Sequence, residues 1–405
     1  MGSLPVKEVL MINVSGKDRP GVTSAVTNVL SQFDGTLLDI GQAVIHDQLN
    51  MGILAAVPSD IQTSQVVKEV SATLKSMDMQ VKFLPISHER YDNWVAQQGK
   101  QRYIVTLLAR NIEASHLAAI TDVTSQQGLN IDKIVRLSGR LGLNQSEQLG
   151  RACIELSARG EPEDSLLELA VHYNIDIACQ EDNIFRRSRQ LVVFDMDSTL
   201  IDAEVIDELA IEAGVGNQVA MITESAMRGE IDFKDSFRQR MALLEGLSSD
   251  VLQSVAERLV LNEGAEHLIK TLKKLGFTTA IISGGFTYFG RYLQSILGVD
   301  QVYANELDIV DGKVTGKVVG DVIDGQRKAE ILRNIAKEQG LNLEQVIAVG
   351  DGANDLPMLK IAGLGIAFRA KPLVKASAKQ AISNVGLDGI LYLLGYSDKD
   401  IYALD

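Results

Sequence analysis

Residues 191–200 constrain the fold of this chain more than any other stretch. Leu191-Val192-Val193-Phe194 is a short continuous apolar run, which is typical of a strand buried on both faces of a parallel sheet. Asp195 and Asp197 follow directly. Residues two apart in an extended chain point the same way, so we expect both carboxylates at the carboxyl end of the strand, where open α/β sheets bind their ligands.

A pair of close carboxylates has a characteristic chemistry. Each negative charge raises the pKa of the other, so the two do not ionise equally. Such a pair can supply one anion that attacks and one acid that donates a proton. A divalent cation beside them would keep the attacking carboxylate ionised. An isolated Asp-x-Asp is also a common turn or helix cap, so the interpretation depends on the rest of the chain.

Polar residues also follow later apolar segments. Ser283 and Gly284 come after a predicted strand and offer a hydroxyl and an open backbone N–H at the start of a helix, a suitable cradle for an anion. Lys328 supplies a compact positive charge at the start of another helix. Asp351 and Asp355 follow a further strand and are hard oxygen ligands suited to Mg²⁺. Each feature alone has an ordinary structural explanation, but together they predict a phosphate site.

The C-terminal part, predicted as residues 183–405, has the pattern of an α/β domain. Four segments between residues 203 and 259 have helical periodicity with no strand between them, which predicts a helical cap at about 202–262. Apolar strands then alternate with helices, and Asp311-Gly312 predicts a hairpin turn. The fold expected is a Rossmann-like parallel sheet with a helical cap.

The N-terminal part repeats one order of elements, βαββαβ, the split ferredoxin-like arrangement of an α+β domain. The first repeat is predicted at residues 1–88 and the second at 101–182, and two copies in tandem indicate an internal repeat. Residues 88–101 are expected to link them. The arginine-rich segment 185–190, which leads into the C-terminal part, is interpreted as a solvated linker.

Composition limits the partners and the location. The 405 residues have a formal net charge of -14, which argues against nucleic acid and anionic membranes because both need a basic surface. Cys153 and Cys179 lack metal-ligand spacing and are interpreted as reduced thiols of a cytoplasmic protein. The N-terminal sequence has no basic segment before an apolar stretch, so no signal peptide is predicted, and no apolar run has membrane-spanning length.

The C-terminal part resembles the haloacid dehalogenase superfamily of phosphatases. The resemblance rests on four motifs: Asp195-Met196-Asp197-Ser198-Thr199, Ser283, Lys328, and Gly350-Asp351-Gly352-Ala353-Asn354-Asp355. It implies that Asp195 is the nucleophile and Asp197 the acid and base, with Ser283 and Lys328 also catalytic. It further implies Mg²⁺ as the cofactor, held by Asp195, Asp197 through its backbone carbonyl, and Asp351, with Asp355 in support.

Within that superfamily residues 190–395 look most similar to the phosphoserine phosphatases. This resemblance implies O-phospho-L-serine as substrate, with the ammonium group bound by Glu204 and the carboxylate by Arg240. The substrate-binding residues that it implies, in chain order, are Glu204, Met227, Phe233, Arg240, Ser283, Gly284, Lys328 and Asn354. Guanidinium suits this task because it binds a carboxylate through two parallel hydrogen bonds.

The first repeat resembles an ACT domain, a regulatory module that binds amino acids. The matching residues are Gly16-Lys17-Asp18-Arg19-Pro20-Gly21, read as a turn that opens a helix, and the effector site implied is Asp18, Arg19, Pro20 and Gly21. The second repeat has Arg110-Asn111-Ile112-Glu113-Ala114 at this place, which weakens the prediction of an effector there. The family resemblance implies a homodimer, and free L-serine is the effector expected to inhibit.

Two alternatives remain open from the sequence. One keeps the enzyme and changes the substrate to another small phosphomonoester, as in a related phosphatase or phosphotransferase. The other is an amino-acid-sensing regulator whose phosphatase part is vestigial, although the intact set of four motifs speaks against it. A phosphate-release assay separates the enzyme from the regulator.

Overall fold

The computed structural model describes residues 7–58, 63–140, 150–162, 165–228, 230–378 and 380–404. The chain divides into two compact units, residues 1–100 and residues 101–405. The second repeat therefore belongs to the same unit as the C-terminal sheet. Every helix in the described part of the chain is too short or too polar to cross a lipid bilayer.

The first unit is one antiparallel sheet with helices. Its strands are β1 (Lys7–Lys17), β2 (Thr36–Ile45), β3 (Gln48–Pro58) and β4 (Gln80–Ile86), and its helices are α1 (Val22–Gln32), α2 (Thr63–Ser76) and α3 (His88–Ala96). The sheet order is β2-β3-β1-β4. Apolar residues of α1 and α2, spaced three or four apart, pack against alternate residues of β1 and β3 such as Ile12 and Ile53.

The second unit begins with the same pattern. Its first elements are β5 (Arg102–Ala109), α4 (Ala114–Gln126), β6 (Asn130–Arg136), β7 (Ala152–Arg159), α5 (Ser165–Tyr173) and β8 (Asp176–Glu181). The sheet order β6-β7-β5-β8 is that of the first unit with each strand replaced by its counterpart. The predicted repetition of a ferredoxin-like unit is confirmed.

The C-terminal part follows β9 (Leu191–Phe194). The cap helices are α6 (Val205–Glu212), α7 (Gly216–Met227), α8 (Phe233–Ala242) and α9 (Val251–Arg258). The chain continues with α10 (Ala265–Lys274), β10 (Thr278–Phe286), α11 (Thr287–Leu297), β11 (Gln301–Val310), β12 (Lys313–Val319) and α12 (Gly325–Glu338). It ends with β13 (Val346–Gly350), α13 (Leu356–Ile361), β14 (Leu364–Phe368), α14 (Pro372–Ser377), β15 (Gln380–Ile382), α15 (Ile390–Leu393) and α16 (Asp398–Tyr402).

Strand β9 lies at the centre of a seven-stranded sheet of order β12-β11-β10-β9-β13-β14-β15. It pairs in parallel with β10 and β13, and all four of its residues are buried. Leu191 and Val193 join one hydrophobic cluster, while Val192 and Phe194 join another. The continuous apolar run thus reflects burial on both faces, as predicted, and the α/β fold with an inserted cap is confirmed.

The second repeat packs against the C-terminal sheet. The backbone N–H of Cys179 in β8 donates to Gln380 Oε1 in β15 at 2.8 Å. Asp176 accepts hydrogen bonds from the backbone N–H groups of Ser383 and Asn384, both at 2.8 Å. Leu108 and other apolar residues of the repeat share one hydrophobic cluster with the C-terminal part. This shared core explains why residues 101–405 form one compact unit.

The arginine-rich segment is not a solvated linker, so that expectation was wrong. Arg186 is fully buried and pairs with Glu155 of β7, and Arg189 is also buried. Burial lowers the pKa of Arg189 to about 10. Arg186 is buried between Glu155 of the preceding repeat and Gly395 near the C-terminal end, a contact between separate elements that charge and local composition could not reveal.

Candidate active site

Asp195 lies where β9 ends, and its side chain is almost completely buried. Its backbone N–H donates to the carbonyl of Val349 on the neighbouring strand at 2.8 Å, which fixes the backbone. Its Oδ1 accepts from the backbone N–H of Met196 and lies 2.8 Å from Lys328 Nζ. The carboxylate therefore faces one cation in a setting from which bulk water is largely excluded.

The chain leaves the sheet after Asp195 in a tight turn. The backbone N–H of Leu200 donates to the carbonyl of Met196 at 2.9 Å, and Ser198 has a φ of 55°, a value that residues with a side chain rarely adopt. The strand ends at Phe194, so the period of two in an extended chain does not orient the two aspartates. The turn does so, which corrects the reason for the prediction while both carboxylates still reach the same edge.

Asp197 is buried on the cap side of this turn. Its Oδ1 accepts from the backbone N–H of Val205, the first residue of α6, at 2.9 Å, and its Oδ2 accepts from Ser283 Oγ at 3.4 Å. Gly285 leaves the room that this carboxyl needs, because a Cβ there would lie 2.4 Å from Asp197 Oδ2. No ion pair of Asp197 occurs among the described residues, in contrast to Asp195.

Lys328 is completely buried near the start of α12, and it bridges two carboxylates. Its Nζ lies 2.8 Å from Asp195 Oδ1 and 2.7 Å from Asp355 Oδ1. Asp355 also accepts the backbone N–H of Gly352 at 2.9 Å, which holds its carboxylate in place. A buried lysine needs such partners, and they keep its pKa above the usual range.

Three carboxylates form a cluster that could hold a metal ion. Ligand oxygens of Asp195, Asp351 and Asp355 all lie within 4.8 Å of one another. Thr199 donates its hydroxyl proton to Asp351 Oδ1 at 3.1 Å. Carboxylate oxygens are the hard ligands that Mg²⁺ prefers, so these three residues fit that ion. The cluster contains Asp355 and not the side chain of Asp197, and metal binding through the backbone carbonyl of Asp197 stays a prediction.

The electrostatics of the cluster follow from burial and like charge. Burial, with repulsion from Asp355 and Glu204, raises the pKa of Asp351 to about 7. Burial also raises the pKa of Asp195 well above its usual range, and Lys328 opposes that rise. For Asp197, burial and then Glu204 raise the pKa well above the usual range. Burial thus raises both pKa values, and only Asp195 has a cation in direct contact that favours its ionised form.

Glu204 and Arg240 lie on the cap side of the cleft. Ser198 donates its hydroxyl proton to Glu204 Oε1 at 2.8 Å. Arg240 on α8 is half-buried, burial lowers its pKa, and nearby Asp207, Glu204 and Asp197 act in the opposite direction. Its Nε is buried and has no hydrogen-bond partner among the residues that the structure describes. An unpartnered guanidinium N–H is costly unless an acceptor binds there.

The remaining predicted residues have different outcomes. The ring of Phe233 lies against Gly284, since a Cβ on Gly284 would be 3.4 Å from Phe233 Cζ. Asn354 is half-buried in the loop after β13, beside Asp355. The side chain of Met227, the last residue of α7, lies outside the described part of the structure. The apolar wall predicted from Met227 and Phe233 is therefore described for Phe233 alone.

The predicted effector turn lies in the first unit. Strand β1 continues through Lys17, so Gly16 belongs to the strand, and α1 begins only at Val22. Pro20 therefore precedes the helix instead of starting it. Gly21 is the N-cap with a φ of 96°, a conformation that favours glycine. Asp18 and Pro20 are exposed and Arg19 is half-buried.

Three further residues were missed by sequence reasoning. Thr199 is the hydrogen-bond donor to Asp351. Asp207 of α6 lies near Arg240, and its buried Oδ1 has no hydrogen-bond partner in the described part of the chain. Asn262 donates to three carbonyls of the turn after Asp197. The threonine is part of a motif that was quoted, so its role could have been found. Asp207 and Asn262 gave no signal because they reach the site from elements placed by tertiary packing.

Comparisons with known proteins extend over the whole chain. The haloacid dehalogenase-like hydrolase family matches residues 190–363, and the ACT domain family matches residues 8–84. Phosphoserine phosphatase SerB2 of Mycobacterium tuberculosis is 39% identical over 99% of this chain and 97% of its own length. The phosphoserine phosphatase of Streptomyces coelicolor is 38% identical over 98% of this chain and 94% of its own.

Solved structures show the same fold. A HAD family hydrolase of Salmonella enterica serovar Typhi superposes with a TM-score of 0.63 at 30% identity, covering 72% of this chain and 98% of that one. A probable phosphoserine phosphatase of Vibrio cholerae, in unliganded form, has a TM-score of 0.58 at 32% identity, covering 74% of this chain and 87% of that one.

The capped parallel sheet with its carboxylate cluster defines a hydrolase of the haloacid dehalogenase class. It is a phosphatase with an ACT domain at its N-terminal end. Since the similarity to two curated relatives extends over nearly the whole of each, the chain belongs to the phosphoserine phosphatase family.

Proposed function

We propose that this protein hydrolyses O-phospho-L-serine to L-serine and phosphate, in the last step of serine biosynthesis, with Mg²⁺ as cofactor and an aspartyl-phosphate at Asp195 as intermediate. The observation that carries the proposal is the unequal environment of two neighbouring carboxylates. Asp195 faces Lys328 at 2.8 Å, whereas among the described residues Asp197 accepts hydrogen bonds and has no ion-pair partner. The curated relatives that match the whole chain have the same activity in their names.

Asp195 attacks phosphorus as the carboxylate anion, and Lys328 stabilises that anion and the charge that develops on the phosphoryl oxygens. Mg²⁺ bound by Asp195, the backbone carbonyl of Asp197 and Asp351 would add the positive charge that lets one anion approach another. Asp197 donates a proton to the departing serine oxygen, which is a poor leaving group as an alkoxide. Asp197 then accepts a proton from the water that hydrolyses the aspartyl-phosphate.

Substrate selection is assigned to the cap. The carboxylate of the substrate would supply the acceptor that the buried Nε of Arg240 lacks. Glu204 pairs with the ammonium group, and the Phe233 ring covers the apolar part of the substrate beside Gly284. Ser283, the Gly284 N–H and Asn354 bind phosphate oxygens or orient the groups that do. The cap excludes water from the cleft while the aspartyl-phosphate forms.

The test is phosphate release from O-phospho-L-serine with Mg²⁺ beside a panel of other phosphomonoesters. We expect fast, selective release that Asp195→Asn abolishes. Arg240→Ala should raise KM for phosphoserine and reduce the selectivity, whereas Arg238→Ala on the exposed side of the same helix should not. Release that is equally fast for all substrates would contradict the roles of Glu204 and Arg240. No release from folded protein would contradict the enzyme assignment.

The ACT domain suggests a second ligand, and we propose that free L-serine binds at Asp18, Arg19, Pro20 and Gly21 and inhibits. A helix N-terminus with open N–H groups suits the carboxylate of an amino acid. The test is inhibition by L-serine in the wild type and in Asp18→Ala and Arg19→Ala variants. Equal inhibition in all three would contradict this site. A homodimer and a cytoplasmic location stay predictions from the sequence and its resemblance.

A further inference from the structure

The cap joins the sheet through two segments that bind each other. The first, residues 199–204, includes the end of the turn that follows Asp195, and the second, residues 259–263, leads from α9 to α10. Ile201 and Leu261 form an antiparallel bridge. The backbone N–H of Asn262 donates to the carbonyl of Leu200 at 2.8 Å. Any change in the second segment therefore reaches the turn that carries Asp197.

The side chain of Asn262 is the main contact between that segment and the turn. It is 5% exposed, and its Nδ2 donates to the carbonyls of Ser198 at 3.3 Å, Thr199 at 2.9 Å and Ile201 at 3.2 Å. The turn contains Ser198 with a positive φ, which needs support from outside the turn. One amide thus holds three successive parts of the loop between the nucleophile and the cap.

Arg369 determines which way the Asn262 amide faces. Its NH1 donates to Asn262 Oδ1 at 3.2 Å. A guanidinium has donors only, so the carbonyl end of the amide must face Arg369 and the NH₂ end must face the turn. Arg369 itself has a φ of 43° and donates to Glu263 Oε2 at 3.0 Å. Its orientation therefore depends on the carboxylate of Glu263.

Glu263 is bound from the other side by the second repeat. Arg110 follows β5 and pairs with both carboxylate oxygens of Glu263, with 2.5 Å between its NH2 and Oε2. Its NH1 also donates to the carbonyl of Gly150 at 2.7 Å, so the guanidinium is anchored within the repeat. Arg110 occupies the junction of strand and helix that is a Gly/Pro turn in the first repeat. At this junction the second repeat contacts the C-terminal part instead of leaving a free turn.

We propose that Asn262 is a positioning residue for the turn that carries Asp197 and Thr199, and that Arg110 of the second repeat supports it through Glu263 and Arg369. The proposal rests on the phosphatase function assigned above. It gives the second repeat a role in catalysis, since Arg110 of that repeat holds Glu263, the residue that orients Arg369. It also accounts for Arg110 at the place where the first repeat has its Gly/Pro turn.

The test uses the full-length protein with Arg110→Ala, Asn262→Ala and the double variant. Arg159→Ala is the matched control, because Arg159 pairs with Asp132 inside the second repeat. Asn262→Ala should lower kcat about 10–100-fold with KM for phosphoserine changed less than about threefold, since misplacing catalytic groups costs rate more than binding. Arg110→Ala should lower kcat about 3–10-fold, and on the Asn262→Ala background it should add nothing.

Hydrogen exchange measured without metal or substrate provides a readout that does not depend on activity. Both single variants should speed amide exchange in residues 198–204, while Arg159→Ala should leave it unchanged. Unchanged exchange and unchanged kcat in Arg110→Ala would overturn the proposal, as would losses in kcat that multiply in the double variant. A lower melting temperature with kcat unchanged would assign Arg110 a structural role only, which also overturns it. A further result separates the two proposals. If the variants showed the expected faster exchange but the wild-type protein did not cleave phosphoserine, the proposed function would be refuted and the positioning network would stand.

Discussion

Lys328→Met tests how strongly one buried cation holds the catalytic site together. The substitution preserves most of the length of the side chain and removes the charge. Lys328 is fully buried and lies 2.8 Å from Asp195 and 2.7 Å from Asp355, so both carboxylates lose an ion-pair partner. Among the neighbours that affect the pKa of Asp195, Lys328 is the cation that lowers it, and the variant should therefore raise this pKa further.

The size of the effect follows from burial. Removing one partner of a buried ion pair destabilises a protein by about 3–5 kcal/mol, because the remaining charge is left in a poor solvent. A carboxylate can escape part of this cost by taking up a proton, so we expect about 3–5 kcal/mol at pH 7 in total rather than for each pair. Loss of a preorganised charge at the phosphoryl group should lower kcat about 10²–10³-fold.

The assays are denaturant unfolding with a metal chelator at pH 5 and pH 7, and phosphate release with saturating Mg²⁺. The pKa of Asp195 is raised in the folded protein, and removal of Lys328 should raise it further. Protonating the unpaired carboxylate in the variant therefore costs less free energy at pH 5 than at pH 7. The destabilisation by Lys328→Met should accordingly be smaller at pH 5. Lys337→Met, on the exposed side of the same helix, is the control and should change stability by less than about 0.5 kcal/mol.

Three results would refute the reasoning. If Lys328→Met lost no more stability than Lys337→Met, the buried pairs would contribute nothing to the fold. If kcat were unchanged while stability fell, Lys328 would hold the two aspartates in place without acting on the phosphoryl group. A destabilisation that grew as the pH fell would contradict the sign derived from the raised pKa.

Three further variants test what individual side chains contribute to the site and to α12. Thr199→Val removes the hydroxyl that donates to Asp351 at 3.1 Å and should weaken activation by Mg²⁺ about 10-fold or more, measured by metal titration of the activity. Gly285→Ala places a Cβ 2.4 Å from Asp197 Oδ2 and should lower kcat at least about 10²-fold, with unfolding measurements to confirm that the variant folds. Asp324→Ala removes the N-cap of α12 and the ion pair with Lys234. The lowered pKa of Asp324 reflects mainly the hydrogen bond from the Arg327 backbone N–H. The substitution should cost about 1 kcal/mol at pH 6. Because the folded-state pKa of Asp324 is lowered, the part of this cost that comes from its charge should be lost as the pH falls from 3.8 through that lowered pKa.

Much of the catalytic sheet could be predicted because its signals are local. The apolar run 191–194 requires burial on both faces, and the turn at Asp311-Gly312 adopts the positive φ values, 49° and 74°, that this dipeptide tolerates. Asp195 and Asp351 are far apart in sequence, yet each directly follows a parallel strand, so strand ends alone predict that they converge. The tandem repeat was visible for the same reason, since each copy carries its own order of elements. Ser283 and Gly284 were wrongly placed at the start of a helix, because β10 continues through both residues to Phe286 and α11 begins at Thr287.

Other features depended on packing between distant segments. Arg186 and Arg189 have the composition of a linker, but the second repeat and the C-terminal part bury them. Asp207 and Asn262 come near the site only because the cap folds back over the sheet. The sequence by itself determined the secondary structure and the strand ends that carry the chemistry, because backbone geometry and hydrophobic period are local properties. Only the tertiary structure decided which charges are buried, paired or left open to a substrate, because those depend on neighbours that no local pattern encodes.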